Sequence, residues 1–199
     1  MVIIDSVKEE NPTVFLFIVL RYNIFLKRVW YSMNSVMFCM DSLPEKSKLR
    51  RMDEFTQHGS TSCLKHTIAV AYYSIKLAEK LGIKYKKTDL IRGALLHDYF
   101  LYDWHDGNGR GIHGFTHPNA ALKNADRDFE LTDTEKEIIK KHMFPLTIVP
   151  PKCREGWIVC MVDKYCSLYE TFKRKRPYEK LFTKSPETYS ELYRQILVM

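Results

Sequence analysis

The chain has 199 residues, of which 45% are hydrophobic and 28% are charged, and its formal net charge is +7 at pH 7. This composition excludes a disordered chain and suits one globular domain with a short appendage. Glycine and proline are scarce, at 8 each, which favours a helical protein. The basic charge suits anionic partners such as nucleotides, phosphorylated metabolites or nucleic acid, but a solubilising surplus on helix faces explains it equally well.

Residues 1–50 are predicted to be an N-terminal extension of uncertain role, and residues 51–199 to be the functional domain. An apolar run extends from Thr13 to Leu20 and ends at Arg21. A membrane-spanning helix needs about 20 apolar residues, so no membrane span is expected here. A surface helix, a core helix and a poorly ordered extension all remain open for this segment.

Apolar residues recur at three- and four-residue steps along most of the remaining chain, which predicts an all-α bundle. Ser62 and Gly82 are suitable caps for the first core helix, and Thr132 with Glu135 forms a capping box for the fourth. Pro145 is expected to end that fourth helix. Five core helices are predicted, at residues 62–81, 88–104, 116–125, 134–144 and 155–173. Additional helices are predicted at the two ends of the chain.

Each predicted core helix carries a histidine or aspartate of the kind that binds metal ions: His66, His97, Asp98, His117, His142 and Asp163. One such residue alone is weak evidence, but facing helices of a bundle assemble metal sites in this way. The His-Asp dipeptide occurs twice. His97-Asp98 follows an apolar stretch, where a carboxylate costs free energy unless it is paired or metal-bound. His105-Asp106 lies in a glycine-rich loop and is not expected to be a ligand pair.

The ordered set of a histidine, a His-Asp pair, two further histidines and a last aspartate resembles the signature of the HD-domain metalloenzymes. The supporting segments are His66-Thr-Ile-Ala-Val-Ala, Gly93-Ala-Leu-Leu-His-Asp and Val159-Cys-Met-Val-Asp163-Lys. The resemblance extends from about Gly59 to Lys173 and is strongest to one bacterial subgroup of these enzymes. It implies an HD-domain helical bundle of five core helices.

The resemblance also implies two metal ions. His66, His97, Asp98 and Asp163 would hold the first ion, and His117 and His142 the second, with Asp98 bridging both. Imidazole and carboxylate donors suit a divalent ion, and Fe, Mn, Co, Ni, Zn and Mg are not distinguished. The glycine-lysine pair that often follows the His-Asp pair in such proteins is replaced by Tyr99-Phe100, which leaves phosphate recognition open.

The function that the resemblance implies is hydrolysis of a phosphoric ester, with a small anionic phosphorylated substrate such as a nucleotide. Asp98 would act at the metals, and Lys164 and His113 are the candidates for contacting phosphate oxygens or donating a proton. Lys141 and Arg110 are further candidates for the same task. A dinuclear iron oxygenase and a non-catalytic ligand-binding module are the alternative functions.

Five cysteines form no Cys-x-x-Cys pair, and no secretory leader is recognisable, so a reduced, cytoplasmic protein is expected. The basic run Lys173–Arg176 is interpreted as a helix C-terminus, because cations are stabilised at that end of the helix dipole. Nucleic acid is therefore not an expected partner. The sequence does not predict the oligomeric state.

Overall fold

The computed structural model describes residues 31–44, 46–104 and 113–173, together with Tyr178 and Leu181. The chain divides into two compact units. One unit comprises residues 1–34 and 180–199, of which the structure describes only 31–34 and Leu181. The other comprises residues 35–179 and contains the candidate site described below. Residues 1–30 with the run from Thr13 to Leu20, the loop with His105-Asp106 and Arg110, and the chain after Lys173 except Tyr178 and Leu181 lie outside the described residues.

The described fold is all-α, as predicted, apart from one small hairpin. Residues 31–42 are helical (α1), followed by α2 (Lys46–Arg50) and a 3-10 turn (Arg51–Glu54). Five further helices carry or directly precede the candidate ligands: α3 (Cys63–Leu81), α4 (Lys87–Leu96), α5 (His113–Asp128), α6 (Asp133–Lys141) and α7 (Arg154–Phe172). Helix α3 packs against α4 and α7, while α6 packs against α4, α5 and α7. Among the described residues, no helix has the length and apolar character needed to cross a membrane.

The predicted caps of two helices are confirmed. The Ser62 side chain accepts a hydrogen bond from the Lys65 backbone at the start of α3, and Gly82 ends that helix in the left-handed conformation. Thr132 and Glu135 form the predicted capping box of α6. These local signals define where α3 and α6 begin, and so place their histidines relative to the core.

The prediction that the second core helix continues to Trp104 is wrong. Helix α4 ends at Leu96, and the chain turns at the His97-Asp98 pair. The turn is stabilised by Asn124, whose side-chain amide donates to the backbone oxygens of Tyr99 and Phe100 at 3.2 and 2.8 Å. Tyr99 and Phe100 are nevertheless buried, so the apolar pattern continues past the helix because this irregular segment is itself part of the core.

The predicted ends of α5 and α6 and the predicted start of α4 also need correction. Helix α5 already includes His113, so Pro118 lies in its second turn rather than its first. Helix α6 ends at Lys141, three residues before the predicted end. Helix α4 begins after Lys86 without a side-chain cap, because Glu155 of α7 accepts from the Lys86 backbone at 2.8 Å.

A two-stranded antiparallel hairpin, β1 (Thr56–His58) and β2 (Thr61–Ser62), precedes α3 and was not predicted. Gly59 forms its turn with a φ of +58°, and a Cβ there would lie 2.9 Å from the backbone oxygen of Glu170. Only glycine combines this conformation with such a close approach. The hairpin therefore packs tightly against α7, which brings Gln57 and His58 to the candidate site.

Candidate metal centre

All six predicted ligands lie side by side in the interior, each with at most 5% of its surface exposed. Close packing of the helices brings them together: at Gly93 on α4, a Cβ would lie 2.5 Å from the Ile138 side chain of α6. Buried imidazoles and carboxylates cost free energy unless each finds a partner or a metal ion. Their convergence therefore needs a chemical explanation.

The first group consists of His66, His97, Asp163 and one oxygen of Asp98. His66 Nε2 lies 3.1 Å from Asp163 Oδ1 and 3.7 Å from Asp98 Oδ2. His97 Nε2 lies 3.2 Å from Asp98 Oδ2 and 3.6 Å from Asp163 Oδ1. Two donors that each lie about 2.1 Å from one ion are themselves roughly 3–3.5 Å apart, so these separations fit a shared ion.

The second group is formed by the other oxygen of Asp98 with His117 and His142. His117 Nε2 lies 3.2 Å from Asp98 Oδ1, and His142 Nε2 lies 3.6 Å from the same atom. The two Nε2 atoms are 2.9 Å apart. Because Asp98 directs Oδ2 to the first group and Oδ1 to the second, its carboxylate joins the two groups.

Three of the four rings are oriented by their own helices. Each donates from Nδ1 to a backbone oxygen three or four residues earlier: His97 to Ala94 at 2.7 Å, His117 to His113 at 2.9 Å and His142 to Ile139 at 2.8 Å. A carbonyl oxygen only accepts, so Nδ1 carries a proton, and in the neutral form of each ring Nε2 has the lone pair. Hydrogen bonds of this kind orient metal-binding histidines.

This arrangement leaves lone pairs facing one another. His117 Nε2 and His142 Nε2 approach to 2.9 Å although both rings have already donated from Nδ1. Within the described part of the chain, His97 Nε2 and Asp98 Oδ1 are buried without a hydrogen-bond partner. A cation between these atoms, or an added proton, removes the repulsion. The donor set therefore fits a metal ion.

The ring of His66 is held by an acidic residue that the sequence analysis missed. Glu170 is wholly buried, and its Oε1 and Oε2 lie 2.9 and 3.1 Å from His66 Nδ1. The Tyr178 hydroxyl donates to Glu170 Oε1 at 2.8 Å. Glu170 lies seven residues after Asp163 on α7, two helical turns along the same face, and this spacing was the available signal.

Gln57 was also missed, since no pattern predicted the hairpin that carries it. Its amide nitrogen donates to Asp98 Oδ2 at 2.6 Å, and its Oε1 accepts from the Cys63 thiol at 3.0 Å. The thiol donates because burial raises the pKa of Cys63 well above the ordinary value. Gln57 therefore orients the carboxylate that the two groups share.

Charges of opposite sign stabilise one another across the first group. Burial lowers the pKa of His66, but hydrogen bonds with Asp163 and Glu170 outweigh burial and raise it to about 9. Burial likewise opposes ionisation of Asp98 and Asp163, yet the facing histidines hold the pKa of each carboxyl well below its usual range. Both carboxylates are therefore ionised at neutral pH.

The second group has a different electrostatic character. Burial, with the neighbouring His97 and His117, lowers the pKa of His142 to about 3. His142 is consequently neutral at pH 7, which is the form in which imidazole binds metal ions. The centre thus combines ionised carboxylates with at least one obligately neutral imidazole.

A cavity of about 820 Å³ opens onto this centre. Asp98, His117, His142 and Asp163 line it, so a small molecule entering the cavity reaches both groups. The predicted catalytic residues His113 and Lys164 line it as well, together with His58, which the sequence analysis did not select. A cavity of this size accommodates a metabolite-sized ligand.

The family comparison agrees with this geometry. The family model of the HD domain matches residues 63–168, which is more than half of the chain and includes all six candidate ligands. The chain belongs to the HD domain family. HD domains bind divalent metal ions and are generally metal-dependent hydrolases. Neither the search of curated proteins nor the search of solved structures finds a match.

The metal-free HD domain should lose stability as the pH rises. The pKa of His66 is about 9 in the folded chain and about 6.5 in the unfolded chain. Protonated His66 therefore contributes its full stabilisation below pH 6.5, and this stabilisation is lost as the pH rises through 9. The expected loss is roughly 3 kcal/mol. Chemical denaturation of chelator-treated protein at pH 6, 8 and 10 measures it, and a flat profile would contradict the assigned pairing. His66→Gln should reduce the slope.

Proposed function

We propose that the chain is a metal-dependent phosphohydrolase that acts on a nucleotide or another small phosphorylated metabolite. The observation that supports it best is the convergence of four Nε2 atoms on the carboxylates of Asp98 and Asp163. Family membership supports the reaction class, because HD domains are generally metal-dependent hydrolases. The metal centre is the proposed site of the reaction.

The proposed centre holds two divalent ions. His66, His97, Asp98 Oδ2 and Asp163 are the donors for the first, and Asp98 Oδ1, His117 and His142 for the second. Such a pair, when bound, would lower the pKa of a coordinated water to about 7 and neutralise charge on the phosphoryl oxygens. The ligand types suit Fe, Mn, Co, Ni, Zn or Mg.

Lys164 is proposed to stabilise the charge of a bound phosphoryl group. Its ammonium lies at the cavity and donates to the His142 backbone oxygen at 2.8 Å and to that of Cys160 at 3.3 Å. A third, weaker contact joins the ammonium to the Cys160 sulfur at 3.4 Å. These contacts hold the cation beside a ligand residue, where its positive charge would stabilise a phosphoryl group electrostatically.

His113 is proposed to donate a proton to the leaving oxygen. Its ring stacks on that of His117, with centroids 4.5 Å apart, and its Nδ1 lies 3.2 Å from the Tyr102 hydroxyl. The ring therefore lies beside a ligand of the second ion without belonging to the ligand set. Imidazole is the side chain whose ordinary pKa suits proton transfer near neutral pH.

Phosphate release from metal-reconstituted protein tests the proposal. At least one of the ions Mn, Co, Ni, Zn and Mg should support release of inorganic phosphate from p-nitrophenyl phosphate. A chelator should abolish this release. Oxygen uptake is recorded in parallel with iron-loaded, reduced protein. Oxygen consumption without phosphate release under any metal would replace the hydrolase with a dinuclear iron oxygenase.

A further inference from the structure

The cavity over the metal centre is lined by two chemically distinct sets of side chains. Four lining residues are the candidate ligands described above. Another five are apolar or lack a side chain: Trp104, Gly114, Met143, Pro145 and Leu146. If the phosphoryl group of a substrate lies at the metals, the rest of the substrate contacts a largely apolar wall.

Most polar side chains of the lining already have partners. Gln57 donates to Asp98, Lys164 donates to backbone oxygens of its surroundings, and the Ser167 hydroxyl donates to Asp163 at 3.3 Å. His113 contacts the Tyr102 hydroxyl through Nδ1, and His58 is the other imidazole of the lining outside the ligand set. Imidazoles suit phosphoryl and leaving oxygens, whereas a base or sugar needs several matched donors and acceptors. Within the described residues, the lining does not present such a set.

Aromatic rings extend the apolar wall to the metal ligands. The Trp104 ring stacks on His113 with centroids 4.9 Å apart and an interplanar angle of 12°, and His113 stacks on His117. Leu146 extends this wall, since a Cβ on Gly114, next to His113, would lie 2.8 Å from Leu146 Cδ2. Leu146 lines the cavity and is 43% exposed, so the apolar wall reaches the protein surface.

We infer that the substrate is the phosphate monoester of an apolar alcohol, with an alkyl, isoprenyl or aryl group. This inference rests on the proposed phosphohydrolase function. In the reaction, a water oxygen forms a new bond to phosphorus, and the bond between phosphorus and the ester oxygen breaks. The electron pair of that bond stays on the ester oxygen, which takes up a proton. The products are the alcohol and inorganic phosphate, and no oxidant or reductant is required.

A series of n-alkyl phosphates from methyl to octyl, each below its micelle concentration, tests the inference on the metal-reconstituted chain. Each methylene buried against the wall should raise kcat/KM by about three- to fourfold until the cavity is full. Octyl phosphate should therefore exceed methyl phosphate by at least about 100-fold, and should exceed adenosine monophosphate. A flat series, or a preference for the nucleotide, would overturn the inference.

A binding measurement separates this inference from the proposed function. Octylphosphonate, which has no ester bond, should bind the metal-loaded chain at least about tenfold more tightly than methylphosphonate or adenosine monophosphate. That preference without hydrolysis of any ester would reject the phosphohydrolase and retain the apolar ligand class. Equal binding of all three compounds would reject the ligand class.

Two leucine variants test whether the preference for long alkyl phosphates depends on the apolar wall of the cavity. Leu146→Asn, in the cavity lining, should lower the ratio of octyl to methyl activity several-fold because it places an amide beside the alkyl chain. Leu81→Asn is the matched control, since this leucine is 57% exposed at the end of α3 and does not line the cavity. An unchanged ratio in Leu146→Asn would contradict the placement.

Discussion

Asp98→Asn should lower phosphate release by at least about 1,000-fold while leaving the helices folded. The reason is that both groups of donors share this carboxylate, through Oδ2 to His97 and Oδ1 to His117. The amide has the same shape but no negative charge, so the bridge between the two ions is lost. Steady-state kinetics on metal-loaded protein, with circular dichroism for folding, measures the effect.

Asp126→Asn is the matched control for that variant. Asp126 is exposed on α5 and pairs with Lys136 at 2.7 Å, away from the cavity lining. A surface pair of this kind contributes little, so activity and stability should stay close to the parent protein. Activity of Asp98→Asn within tenfold of the parent would remove Asp98 from the proposed centre.

Glu170→Gln should weaken metal binding by 10- to 100-fold, the effect typical of losing a residue that orients a metal ligand. The glutamine can still accept a hydrogen bond from His66 Nδ1, but it lacks the negative charge of Glu170. That charge makes the ring more basic, so that Nε2 binds a metal ion more strongly. Glu170 is wholly buried, so bulk solvent does not screen the loss of its charge. Titration of metal-free protein with one divalent ion, followed calorimetrically, gives the change in affinity.

Glu155→Gln separates positioning from general destabilisation. Glu155 is also buried on α7, but its carboxylate accepts from the Lys86 backbone at the start of α4 rather than from a ligand. This variant should lower the unfolding temperature with little change in metal affinity. Equal losses of affinity in the two variants would mean that Glu170 acts only through the stability of the helix.

The ligand set could be predicted because its members lie on helices, or directly after them, and some of these helices have readable local signals. The capping box of Thr132 and Glu135 places His142 at the end of α6, and the cap at Ser62 places His66 in the second turn of α3. A histidine on an inward face is visible from helical periodicity alone. The family resemblance supplied the order of the ligands, and the HD domain match confirms that resemblance.

The partners of the ligands depend on tertiary packing, which periodicity does not encode. Gln57 reaches Asp98 because Gly59 allows the hairpin to pack on α7, and nothing in the local pattern predicted the hairpin. The turn at His97 was missed because Tyr99 and Phe100 continue the apolar pattern while the backbone leaves the helix. The predicted boundary at residue 50 and the cytoplasmic location stay predictions.

Metal content per chain tests the two-ion centre most directly. Protein purified without chelator and with oxygen excluded is analysed by mass spectrometry, beside Asp98→Asn and after reconstitution. The parent chain should carry about two divalent ions, and the variant should carry few. The absence of bound metal in the parent chain after reconstitution would contradict the centre and would make the converging histidines a structural feature alone.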